Sequence, residues 1–207
     1  VEEGMTNKRD ETLPIVIGVS GYKRSGKDTV GKYITDHFKR FERYAFADPV
    51  REAAMAFFGW SLEYMTKHKE EIDPFWGISP RQALQYIGTE VGRDGFASAY
   101  KTFRTVTGNE LWIKRFEKHV YSRPMGTNFV ITDMRFHNEF ESVAFNDSFR
   151  AFTIGVIRPG TGGNDSHASE AEIGEVVERC DHILHNDDEL TVLYQRLNQI
   201  MHREGLY

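Results

Sequence analysis

One cysteine, Cys180, stands in the whole chain of 207 residues. That excludes an intramolecular disulfide and fits a reducing compartment, so a cytoplasmic protein is expected. No apolar run approaches the roughly 20 residues that a membrane-crossing helix needs, and no signal-peptide pattern is read. Cysteine and histidine nowhere show metal-ligand spacing. Basic residues are outnumbered, with 26 Lys and Arg against 31 Asp and Glu, for a net charge of -5. A dedicated nucleic-acid binder usually needs a basic face, so no nucleic-acid partner is expected. The local cluster Lys39, Arg40 and Arg43 reads as solvated helix surface. Internal repeats and low-complexity linkers are also lacking. The opening VEEGMTNKRDET is polar and is expected to be disordered over 1–12, with Met5 read as the natural start. What remains, 13–207, has the length of one α/β domain with room for a helical insertion or a lid.

The most informative stretch is IVIGVSGYKRSGKDT, Ile15 to Thr29. Ile15, Val16, Ile17 and Val19 favour a buried strand. A glycine-bracketed loop follows, and then Val30, Tyr33, Ile34, His37 and Phe38 recur at helical spacing. Strand, loop and helix are the setting of a phosphate-binding loop. Gly21 and Gly26 let the backbone curl so that the N–H groups of the loop, through Tyr22, Lys23, Arg24 and Ser25, face a polyphosphate. The helix adds its N-terminal partial positive charge, and Lys27 extends along the β- and γ-phosphates. Asp28 stands where a Ser or Thr is usual, with Thr29 one place later. Asp28 acts on a Mg²⁺ ion either directly or through water in this reading. The bland alternative is an ordinary glycine turn with solvated lysines.

Further along, Tyr44 to Ala47 reads as a second strand, and Asp48-Pro49 as the cap and first position of a helix. Arg51 in that helix's first turn is either a phosphate ligand or a surface arginine. Residues 59–78 mix aromatics and charges without periodicity, with Asp73-Pro74 and Gly77 as breakers, and read as an irregular insertion with a short helix. Ser79 to Gln82 is a capping box opening a helix through about Val91, with Arg81 and Arg93 near its ends. Asn109 is read as the cap of a helix whose face is Trp112, Ile113, Phe116 and Val120, a core stripe. Phe129 to Thr132 forms a buried strand ending in Asp133-Met134-Arg135. An acidic residue just past such a strand suits the Mg²⁺ end of a phosphate-loop site, and Arg135 can pair with a phosphate. A helix from about Asn138 to Asn146 and a strand Phe152–Ile157 come next. Arg158 then opens a glycine-rich segment containing His167, readable as a closing lid or a plain connection. Ser169 to Glu172 is a second capping box. A last strand, His182–His185, runs into Asn186-Asp187, and Leu190, Leu193, Leu197 and Ile200 line the final helix. The expected architecture is a P-loop kinase α/β domain, a mostly parallel sheet with helices on both faces, with an acceptor-side insertion about 59–125 and a short lid about 158–170. Arginines at strand ends around a phosphate loop point to phosphoryl transfer onto an acceptor that itself carries phosphate.

These pieces stand in a familiar order: GYKRSGKDT, FADPVREA, RQALQYIGTEVGRDGF, VITDMRFHNE, VIRPG, NDSHASEAE and ILHND. So arranged, the chain resembles the deoxynucleoside monophosphate kinases of tailed bacteriophages, a branch of the P-loop nucleoside monophosphate kinases. The resemblance implies ATP-dependent phosphorylation of deoxynucleoside monophosphates, with Mg²⁺, by a homodimer in the host-cell cytoplasm. It implies that Gly21 to Thr29 hold the ATP phosphates and that Asp133 and Arg135 lie at the acceptor phosphate and metal. Arg158 would stand at the lid stem and Asn186 near the adenine, with Arg51, Arg81 and Arg93 on the monophosphate side. Animal-type phosphomevalonate kinases share the Gly-Lys-Asp loop variant and are the nearest rival. The aromatics Trp60, Phe75, Trp76, Tyr86 and Phe96 lean instead toward stacking on a base. A nucleotide-dependent switch is the rival of another class; the absence of an Asn-Lys-x-Asp guanine motif after the last strand counts against it.

Overall fold

The structure, a computed structural model, describes residues 13–99, 110–162 and 172–206. The N-terminal segment 1–12, the Asn109 cap, most of the 158–170 lid with His167, and all but the last residue of the second capping box lie outside the described residues. Two compact units are formed, one by the residues up to Ala45 together with those from Arg123 onward, the other by Phe46 to Ser122.

The first unit is built on a five-stranded sheet in the order β2-β3-β1-β4-β5. Its strands are β1 (Ile15–Ser20), β2 (Phe41–Tyr44), β3 (Asn128–Ile131), β4 (Arg150–Ile157) and β5 (His182–His185). Every pairing is parallel, with Gly18 opposite Ile131 on one side and Thr153 on the other. A parallel sheet needs helices over both faces, which is why its central strands read as unbroken apolar runs. On one face α1 (Lys27–His37) contributes Val30 and Ile34, and the C-terminal helix (Leu190–Arg203) contributes Leu193, Leu197 and Ile200. Leu190, expected on that stripe, is exposed in the helix's first turn.

β2 lies three residues earlier than the sequence suggests. The backbone turns through a positive φ at Arg40, so pairing starts at once with Phe41 opposite Asn128. Ala45 and Phe46 are buried without being paired, and burial gave them their strand-like look. The cluster Lys39, Arg40 and Arg43 accordingly sits in a turn and a strand, not on a helix.

The second unit is helical among its described residues: α2 (Asp48–Phe58), α3 (Leu62–Lys67), α4 (Pro80–Gln85), a π-helical stretch (Tyr86–Gly95), α5 (Phe96–Ala99) and α6 (Leu111–Tyr121). Asp48 falls inside α2, one place past the cap at Ala47. The Ser79 capping box forms as expected, with Gln82 N–H donating to Ser79 Oγ and Ser79 N–H to Gln82 Oε1. The helix it opens does not run as one α-helix to Val91. Trp112 donates its indole N–H to the Gly88 carbonyl at 2.8 Å, and its ring fills the space a Cβ on Gly92 would take. A side chain inserted into the hydrogen-bond ladder in this way explains the switch to the wider π spacing. Ile113, Phe116 and Val120 of α6 are buried, as their spacing predicts.

Candidate functional site

Three positions of positive φ shape the loop after β1, the first being Gly21 at φ +149. Gly26 has φ +108, and Arg24 takes the left-handed conformation at φ +66. Left-handed backbone at a non-glycine residue is costly, and such strain gathers where a loop must present its amides to a ligand. Space matters as much as conformation. A Cβ on Gly21 would sit 2.5 Å from the Val156 carbonyl, and one on Gly26 would sit 2.6 Å from Asn186 Nδ2. Ser25 N–H donates to the Tyr22 carbonyl, closing the turn. The same carbonyl accepts Lys27 Nζ at 2.8 Å, and the lysine side chain is only 8% exposed. A cation resting on a backbone carbonyl of the loop stands ready for phosphate oxygens. Ser25 Oγ is fully buried and has no hydrogen-bond partner among the described residues, which leaves a donor for an anion inside the loop. Curled backbone, buried lysine and orphaned hydroxyl fit a polyphosphate.

The Asp133-Met134-Arg135 segment leaves β3 at the same carboxyl edge of the sheet, beside β1. Met134 is fully buried and lies where a Cβ on Gly18 would be, 2.8 Å from its sulfur. Anchoring the middle residue turns its two neighbours, Asp133 and Arg135, outward to half-buried positions. A second anchor was not apparent from sequence. Glu139, 2% exposed, accepts the backbone N–H of Arg135 at 2.8 Å and of Phe136 at 3.2 Å. It occupies the third position of the helix that starts at His137, the place where a Glu reaches back to the cap, and that spacing was the available signal.

Arg158 follows β4, which flanks β1 on the other side, and it is exposed. Asn186 follows β5 and meets the loop directly: its Nδ2 donates to the Ser25 carbonyl at 2.8 Å, while its N–H continues the ladder to Ile157. Arg196 secures this corner, donating to the His185 carbonyl and to Asp187 Oδ1. That guanidinium holds the Asp187 carboxyl below the usual carboxylate range. Lys23 and Arg24 are exposed at the tip of the loop. Asp28, exposed, and Thr29 line a groove of about 280 Å³ along α1, together with Tyr33 and Tyr194. Asp28, Thr29 and Asp133 offer carboxylate and hydroxyl oxygens, the hard donors that Mg²⁺ prefers. No preformed cluster of three metal-ligating side chains exists among the described residues. Mg²⁺ in phosphoryl-transfer sites is commonly held by one or two carboxylates and the substrate phosphates, and this donor set fits it.

Of the predicted residues, the first unit therefore gathers the loop, Asn186, Asp133, Arg135 and Arg158 along one sheet edge. Arg51, Arg81 and Arg93 belong to the second unit. There Arg51 pairs with Asp48 at 2.6 Å and Arg81 with Glu70 at 2.7 Å; Arg93 is half-buried in the π-helical stretch. The insertion's aromatics divide by role. Trp60 is 7% exposed, stacks on Phe58 and donates to Asp73, so its role is packing. Phe75 and Tyr86 are exposed. Asp73, which reads from sequence as a chain breaker before proline, is a buried hub. Its carboxylate accepts Trp60 Nε1, Tyr64 OH and the N–H groups of Phe75 and Trp76. Those donors, Tyr64 foremost, hold its carboxyl below the ordinary value, and the hydrogen bond to the Asp73 carboxylate in turn pushes the Tyr64 phenol up.

Comparison with known proteins adds the following. A family model described as deoxynucleotide monophosphate kinase matches residues 15–79 and 63–197. An Acanthamoeba polyphaga mimivirus protein assigned as a deoxynucleotide monophosphate kinase is 29% identical, over 88% of this chain and 94% of its own. The deoxynucleotide monophosphate kinase of Escherichia phage RB69 is 25% identical, over 90% of this chain and 99% of its own. The crystal structure of TT1252 from Thermus thermophilus aligns with a TM-score of 0.49 at 16% identity, over 92% of this chain and 98% of that one.

Proposed function

Because the chain belongs to the deoxynucleotide monophosphate kinase family, we propose that it transfers the terminal phosphoryl group of ATP to a deoxynucleoside monophosphate, giving ADP and a deoxynucleoside diphosphate. The observation that carries this reading is the loop itself, with Lys27 buried on the Tyr22 carbonyl and the Ser25 hydroxyl unpartnered. Phosphoryl transfer asks the protein chiefly to position two anions and to neutralise charge as it develops. The loop from Gly21 to Thr29 binds the donor phosphates, through its amides and Lys27. Asp28, Thr29 and Asp133 are the residues that would hold Mg²⁺, which would supply positive charge to offset that of the phosphates. Arg135 and Arg158 offset charge on the transferring group, with planar donors suited to phosphate. Arg51, Arg81 and Arg93 take the acceptor monophosphate, Arg51 and Arg81 exchanging their carboxylate partners for it. Half-exposed pairs of that kind cost little to break.

Among the described residues no helix is long and apolar enough to cross a membrane. We place the enzyme in the cytoplasm, that of the host cell if it is phage-encoded, and read it as a homodimer; light scattering on the purified protein checks the dimer. The activity is tested by coupled ADP release with ATP and Mg²⁺ across dAMP, dGMP, dCMP, dTMP and their ribose counterparts, with phosphomevalonate included. Turnover with deoxynucleotides, and matching diphosphates on chromatography, is the expected result. Turnover with phosphomevalonate alone overturns the acceptor, and ADP with inorganic phosphate but no phosphorylated acceptor moves the protein to the switch class.

A further inference from the structure

Tyr22 stands in the phosphate loop, where its carbonyl closes the turn, and its side chain reaches residues of other elements. The ring is half-buried, and two glycines from other elements face it. A Cβ on Gly162, beyond β4, would lie 3.2 Å from the ring, and Gly162 has φ +105, a conformation that itself favours glycine. A Cβ on Gly174, in the helix Ile173–Glu178, would lie 2.8 Å from the Tyr22 hydroxyl but 4.0 Å from the ring carbon that bears it. The ring thus occupies a slot that exists because two side chains are missing. Its backbone carbonyl meanwhile accepts both Ser25 N–H and Lys27 Nζ.

We propose that Tyr22 is a positioning residue of the donor site: its ring, seated between Gly162 and Gly174, fixes the carbonyl that poises Lys27 for phosphate. This rests on the reading of the loop as the ATP phosphate site. The physical argument is one of leverage. A residue with a free side chain could let its peptide rock, and the lysine would follow. Tyr22 has its side chain held on two sides by backbone, so the peptide has one seat. Close packing of this kind transmits displacement instead of absorbing it.

Gly174→Ala tests this without touching the loop. Alanine is the better helix former, so the helix itself is not weakened. The added methyl would force the Tyr22 hydroxyl to retreat by about half an ångström to reach ordinary contact. Since a misplacement of 1 Å can cost about a hundred-fold, a rise in the KM for ATP on the order of ten-fold is expected, with the acceptor KM little changed. Placing Tyr22→Phe on top removes the offending oxygen and leaves the ring carbon at contact distance, so the KM for ATP should return most of the way. Calorimetric titration of each variant with ATP and Mg²⁺ should show the same order of affinities. An unchanged affinity in G174A overturns the proposal. So does a loss that Tyr22→Phe fails to rescue, because the defect then belongs to the helix. A wild-type protein that binds no ATP overturns the loop assignment, and the proposal with it.

Discussion

Replacing Asn186 by alanine separates two roles that this residue can have. Its Nδ2 donates to the Ser25 carbonyl at 2.8 Å, and the amide group lies over Gly26, where a Cβ would be 2.6 Å from it. A side chain so placed braces the loop against β5. Losing one half-buried neutral hydrogen bond costs about 1 kcal/mol, and the carbonyl left behind can turn to water. About 1 kcal/mol is a factor of about five in the population of the braced loop. The kcat/KM for the donor should fall about five-fold, with the acceptor constants unchanged. This loss belongs to the phosphates, so it should be equal for ATP, GTP and any other triphosphate that serves. If Asn186 instead touches the adenine, the ATP-to-GTP ratio shifts while the weaker donor keeps its constant. The assay is steady-state coupled turnover with each donor at saturating acceptor. A changed donor ratio, or no loss at all, refutes the brace. Arg196→Ala, which frees the same corner through its bonds to His185 and Asp187, should give a smaller loss of the same donor-independent kind.

Lys27→Met should lower kcat by on the order of a hundred-fold or more, as removal of a charge-stabilising donor does, while the melting temperature holds; unchanged turnover ends the phosphate-loop assignment. Asp73 gives the second unit an acid limit. Its folded carboxyl is depressed below the ordinary 3.8, so its contribution is complete above that value and is lost as pH falls through the folded one. Tryptophan fluorescence of Trp60 and Trp76 should show unfolding below about pH 4, and Asp73→Asn should lower stability at neutral pH and flatten that acid limb; superimposable curves refute the hub. Burial pushes the Cys180 thiol up to about 12, so a disulfide reagent at pH 8 should leave it unlabelled until denaturant is added. Rapid labelling of the native protein would contradict that burial.

What could be read from sequence was what the backbone itself demands. The phosphate loop was legible because its turn needs glycine at particular places, and β1, β3 and β4 because strands buried on both faces must be continuously apolar. The errors fall where a distant residue decides the local form. Nothing between Tyr86 and Gly95 announces a π-helix, since the cause is the Trp112 indole arriving from α6. Asp73 looked like a breaker because its four donors come from Trp60, Tyr64, Phe75 and Trp76, and only folding brings them to one carboxylate. β2 was displaced because Ala45 and Phe46 are buried beyond the paired residues.

The same division bears on how the two substrates are recognised. On the donor side the proposed contacts are amides of a loop packed against Val156 and Asn186 at Gly21 and Gly26, and if Asn186 is only a brace, recognition there is of phosphate geometry. On the acceptor side the candidate cations Arg51 and Arg81 already hold Asp48 and Glu70. On the proposed reading a monophosphate displaces those carboxylates, and a dianion competes for a guanidinium better than a single carboxylate does. If these arginines take the acceptor as proposed, the pairs would act as a threshold that admits a ligand carrying a full phosphate. Neutralising Glu70 with glutamine should accordingly tighten the acceptor monophosphate slightly and weaken discrimination against an unphosphorylated nucleoside, whereas ATP binding, which draws on none of these residues, should not move.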